Sequence, residues 1–101
     1  MPYGLESSVL EQIRSVLVQF VMVEEALLYG SRAKGTHKAG SDIDLCLVGK
    51  EVDHKVLSRI DNLLDDLLLP YSFDLSCYHH LYNQELKGHI DRVGIKIYAR
   101  K

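Results

Sequence analysis

Residues 42–48 read Asp-Ile-Asp-Leu-Cys-Leu-Val, and this alternation constrains the fold more than any other stretch of the chain. Ile43, Leu45 and Leu47 fall on one side of an extended backbone and Asp42, Asp44 and Cys46 on the other, so the period of two predicts a strand. Between Asp53 and Leu69 the residues Val56, Leu57, Ile60, Leu63, Leu64, Leu67 and Leu68 form a wide apolar stripe at helical spacing, and Pro70 predicts its stop. Residues 71–78 alternate again, with Phe73, Leu75 and Cys77 against Asp74, Ser76 and Tyr78. A strand, a helix long enough to cross over and a second strand predict a right-handed parallel pair. Asp42 and Asp44 then lie at similar height to Asp74, each group at the beginning of its strand.

The remaining elements follow from the same periods. Val9, Leu10, Ile13, Val16, Leu17 and Phe20 predict a first amphipathic helix over 8–20, with Ser8 and Glu11 in the form of a capping box. The later half of residues 21–29 reads as a short buried strand that ends in the Gly30-Ser31 turn. Arg32 to Lys34 have room for one helical turn before Gly35, and residues 36–41 form a polar loop. Tyr82, Leu86, Ile90 and Val93 predict a helix over 81–93, closed by Gly94, and Ile95 to Ala99 a last strand. The order is α-β-α-β-α-β-α-β, an α/β fold in a single domain over residues 1–101.

The net charge of −2 argues against electrostatic capture of nucleic acid, because a basic face is the usual footprint of phosphate-backbone binding. Cys46 and Cys77 lie in strands and lack CxxC or His/Cys ligand spacing, which predicts buried free thiols rather than a disulfide or a zinc site. The five histidines have no HExxH pattern, and His79-His80 reads as loop. With no signal pattern and no apolar run near the roughly 20 residues that span a bilayer, the expectation is a cytoplasmic protein without a membrane partner.

The chemistry resides in the turn and the carboxylates. Residues two apart on a strand point the same way, roughly 6.6–7 Å apart along it, a span two side chains can close around metal ions about 3.5–4 Å apart. Oxygen donors favour Mg2+, or Mn2+ in its place. Gly30 lets a backbone approach a phosphate, and Ser31 adds a hydroxyl and an amide at the start of a helical turn. Arg32, Lys34 and Lys38 are within reach of triphosphate oxygens, although basic residues on a polar loop are more often solvated. GxxxxGK[ST] is absent, so P-loop hydrolysis is not supported.

Gly30-Ser31, then Ser41-Asp42-Ile43-Asp44-Leu45, then Asp74 on the next strand resembles the DNA polymerase beta-like nucleotidyltransferase superfamily, and within it the minimal nucleotidyltransferases (MNT) of prokaryotes. The resemblance covers nearly the whole chain. It implies a mixed β-sheet flanked by helices and transfer of a nucleoside monophosphate from a triphosphate, ATP, to a hydroxyl, with two Mg2+ ions and release of pyrophosphate. Residue by residue, it makes Asp42, Asp44 and Asp74 the metal ligands and catalytic carboxylates, Asp74 also serving or assisting as base. It makes Gly30 and Ser31 phosphate binders; beside them, Arg32 and Ser41 are further candidate nucleotide contacts. Small members of this family pair with a helical HEPN-domain protein as antitoxin and toxin, and some adenylylate a tyrosine on it. Two other functions stay open on the residues alone: neutralising a helical partner by contact without turnover, and nucleotide transfer to a small molecule or an RNA end with help from a partner chain.

Overall fold

The computed structural model describes residues 2–101. After a 3-10 turn at Pro2–Gly4, the elements are α1 (Ser7–Leu17), β1 (Glu25–Tyr29), α2 (Gly30–Lys34), β2 (Ile43–Val48), α3 (His54–Asp65), β3 (Phe73–Cys77), α4 (Gln84–Val93) and β4 (Ile95–Ala99), with a second 3-10 turn at Tyr78–His80 between β3 and α4. The expected order holds. The four strands form one mixed sheet in the order β3-β2-β1-β4, in which β1 is antiparallel to both β2 and β4 while β2 and β3 are parallel.

The alternation along the strands divides the molecule into two layers. Ile43, Leu45 and Leu47 of β2, Ala26 and Leu28 of β1 and Cys77 of β3 face α1 and α3, where they meet Ile13, Leu17, Ile60 and Leu64 in the main core. Burying side chains of this size contributes about 1.5–3 kcal/mol each. On the other face Tyr29 and Cys46 pack against Ile90 of α4 in a smaller cluster. Both cysteines are buried free thiols, and burial pushes Cys46 up to about 11.

Several boundaries differ from expectation: the first helix ends at Leu17 rather than Phe20, the strand expected over 71–78 is confined to Phe73–Cys77, and others shift for visible reasons. The first helix starts at Ser7 with Glu6 as N-cap and no side-chain capping bond, so Ser8 lies inside the first turn rather than at the cap, and Glu11 pairs with Arg14 at 2.8 Å. The third helix ends at Asp65, well before Pro70, in i→i+3 bonds from Leu67 to Leu64 and Leu68 to Asp65. Leu68 takes φ +56° and is 88% exposed, so it leaves the predicted stripe. The last helix starts at Gln84 because Asn83 caps it, accepting from the amides of Glu85 at 2.9 Å and Leu86 at 3.1 Å. Tyr82 therefore lies outside the helix and is 93% exposed. Finally, β2 begins at Ile43, which leaves Asp42 in the loop at its mouth.

Candidate active site

The register of β2 and β3 brings the carboxylates together. Asp44 and Asp74 are direct partners across the parallel pair, and on its other side Asp44 faces Tyr29 of β1. Asp42 and Asp74 are exposed and Asp44 is half-buried between its neighbours, so the carboxylates lie at the open end of the face that α4 covers elsewhere. Burial raises the Asp44 pKa above its ordinary value of 3.8, the charges of Asp74 and Asp42 raise it further, and His89 and Arg32 oppose them. Among the described residues the ion pairs are Arg14–Glu11 and Lys96–Glu25, and neither neutralises these three carboxylates.

Gly30 is required where it sits. Its φ is +75°, and a Cβ built there would collide with the Asp44 carboxylate. The turn of β1 into α2 is thus pressed directly onto the carboxylate, and Ser31 follows at the start of α2. Gly35, at φ +78°, closes this five-residue helix.

Arg32 of α2 and Ser41 of the following loop are bound to each other. The Arg32 side chain is 2% exposed, and its guanidinium donates twice to the Ser41 carbonyl, at 3.2 Å from Nε and 2.8 Å from Nη2, and once to the Tyr3 carbonyl at 2.9 Å. Its Cζ lies 4.9 Å from the centre of the Tyr71 ring. The Ser41 hydroxyl accepts from the Lys38 amide at 2.8 Å. Both residues therefore hold the segment that delivers Asp42, and Lys34 and Lys38 are exposed around it.

His89 is the residue at this site that motif reading did not select. It projects from α4, and its Nε2 accepts the Gly30 N–H at 3.3 Å. Its place one position before the buried Ile90 was visible in the sequence, but the strand turn that α4 meets is decided by the sheet order.

Among the described residues no three His, Cys, Asp or Glu side chains converge into a ready-made metal cage. The donor set nevertheless fits a hard divalent cation of the magnesium type. It supplies unneutralised oxygen donors from two adjacent strands, and Mg2+ is usually held by one or two carboxylates together with water and substrate phosphates.

Comparison with known proteins gives the same architecture. A chain of a toxin-antitoxin complex crystallised with AMP-PNP superposes with a TM-score of 0.74 at 19% identity, over 91% of this chain and 74% of that one. A chain of the complex between a tri-AMPylated HEPN toxin and an MNT antitoxin of Shewanella oneidensis gives 0.71 at 15% identity, over 95% and 74%. A chain of the MntA-HepT toxin-antitoxin complex gives 0.70 at 15% identity, over 94% and 74%. At these identities the likeness is one of fold. No curated protein matches the sequence. The family model described as Polymerase beta, Nucleotidyltransferase matches residues 11–101, and the chain belongs to that family.

Proposed function

We propose that the chain is a metal-dependent nucleotidyltransferase that moves AMP from ATP to a hydroxyl of a helical HEPN-domain partner, as the antitoxin of a toxin-antitoxin pair. The observation that carries this reading is the in-register pair Asp44–Asp74 beside a turn position where the Asp44 carboxylate leaves room for glycine alone. Fold likeness to complexes described as containing AMP-PNP and an AMPylated HEPN toxin supports the choice of nucleotide and partner.

In this mechanism the acceptor oxygen attacks the α-phosphorus of ATP, a new P–O bond forms, the bond from the α-phosphorus to the bridging oxygen breaks, and pyrophosphate leaves. Asp42, Asp44 and Asp74 would hold Mg2+, which supplies Lewis-acid stabilisation of the charge developing on the phosphates. Asp74, exposed at the open side, takes the proton of the attacking hydroxyl. Gly30 lets the backbone come close to the phosphates, and Ser31 receives them through its amide and hydroxyl. Arg32 acts one step removed, by anchoring the Ser41 carbonyl and with it Asp42.

The open site suits a macromolecular acceptor that brings its own walls. Incubating the chain with α-labelled ATP, Mg2+ and a HEPN-domain protein encoded beside it should label the partner, and Asp44→Asn or Asp74→Asn should reduce labelling on the order of 100-fold or more. Intact labelling by both variants would end the assignment. Neutralisation by contact alone has one feature in its favour, a groove of about 430 Å³ lined by the exposed Val18 and Val21 together with Tyr98. It predicts that the same variants still neutralise the partner.

A further inference from the structure

The Gly30-Ser31 turn is held from two sides. The Asp44 carboxylate fills the space on the sheet side, where no Cβ could fit, and on the other side the Gly30 N–H points at His89 Nε2, 3.3 Å away. The neutral ring accepts that proton at a bare Nε2, with its own proton on Nδ1, whereas the charged ring that opposes the carboxylates at Asp44 cannot accept it. The imidazole is itself fixed: it stands nearly edge-on to the Tyr29 ring, 6.2 Å between centroids at 79°, and the adjoining Ile90 is 1% exposed in the cluster with Tyr29 and Cys46. A residue of the fourth helix is thus locked to the backbone of the first strand's turn, 59 positions away in sequence.

A left-handed glycine has no side chain to fix its peptide plane, so the orientation of the Tyr29–Gly30 peptide depends on what its amide binds. We infer that His89 is a positioning residue for nucleotide binding, whose imidazole sets the Gly30-Ser31 turn in the conformation that receives the triphosphate. The inference rests on the nucleotidyltransferase reading above and adds a residue that lies outside the motif. The effect belongs to binding rather than to proton transfer, because the imidazole reaches the turn and not the reacting atoms. Displacing the turn by even an ångström would move the Ser31 hydroxyl and amide together, and misplacements of that size have large consequences for bound geometry.

Two substitutions separate this role from simple packing. His89→Phe keeps an aromatic ring against Tyr29 and removes the acceptor, whereas His89→Gln keeps an oxygen that can accept the same N–H. With the full chain, His89→Phe should bind Mg-ATP about tenfold more weakly by calorimetry and raise KM for ATP with kcat nearly unchanged, the loss expected for one hydrogen bond. The Gly30 amide should exchange with solvent faster by a similar factor in the NMR spectrum. His89→Gln should recover most of the affinity and the amide protection. Wild-type affinity in His89→Phe overturns the inference while leaving the nucleotidyltransferase reading intact, and so does a His89→Gln variant as impaired as His89→Phe. If the wild-type chain binds no ATP, or binds it equally well after Asp44→Asn, the nucleotide reading fails and the inference with it.

Discussion

Asp44 is the residue on which the site's energetics turn. Burial, then Asp74 and Asp42, hold its pKa above the ordinary 3.8, so at pH values between the ordinary and the raised value the folded chain binds a proton that the unfolded chain has released. Stability therefore falls as pH rises through that window, and the destabilisation persists above it. Without divalent ions, Asp44→Asn should melt above the wild type at neutral pH and show a flatter profile across the window, a result readable by calorimetry in chelator. Added Mg2+ should stabilise the wild type and leave the variant unmoved, because only the wild type presents the full set of carboxylates. Gly30→Ala tests the other side of the contact. A left-handed alanine costs about 1–2 kcal/mol before the collision with Asp44 is counted, so chemical denaturation should show at least that loss.

At the scale of elements, legibility followed the range of the determining interactions. The β2–β3 pair was readable because alternation and crossover length are local properties, and the parallel register then aligned Asp44 with Asp74. Arg32 was readable as a cation beside a phosphate turn but not as the anchor of the Ser41 and Tyr3 carbonyls, since the loop that folds over it comes from two other parts of the chain. The end of α3 was obscured because Leu67 and Leu68 continue the helical stripe in sequence while the backbone has already turned. That turn strains Leu68 at φ +56° with its side chain in solvent. Leu68→Gly should accordingly stabilise the fold by roughly 0.5–1 kcal/mol, a shift of several degrees in Tm. The α4 cap provides a contrast: Asn83→Ala should cost about 1 kcal/mol, seen by denaturation, through two lost side-chain bonds to the helix amides.

For the whole molecule, one sheet face is sealed by α1 and α3 and the other is covered by α4 only in part, leaving the carboxylate end open. The proposed contributions to the site come from separate parts of the chain: the turn after β1, the mouth of β2, the first half of β3 and the middle of α4. They meet because a parallel pair and an antiparallel pair share β2 in one sheet. Asp42 and Asp74 are both exposed at that end. In the proposed mechanism this arrangement transfers a nucleotide rather than hydrolysing or merely holding it. The most direct measurement incubates the chain, Mg2+ and the HEPN-domain partner with α-labelled ATP in one reaction and γ-labelled ATP in another. Covalent label on the partner from the α-phosphate only, with pyrophosphate released and both signals lost in Asp74→Asn, is the predicted result. Label from the γ-phosphate, or α-label that survives Asp74→Asn, would contradict it.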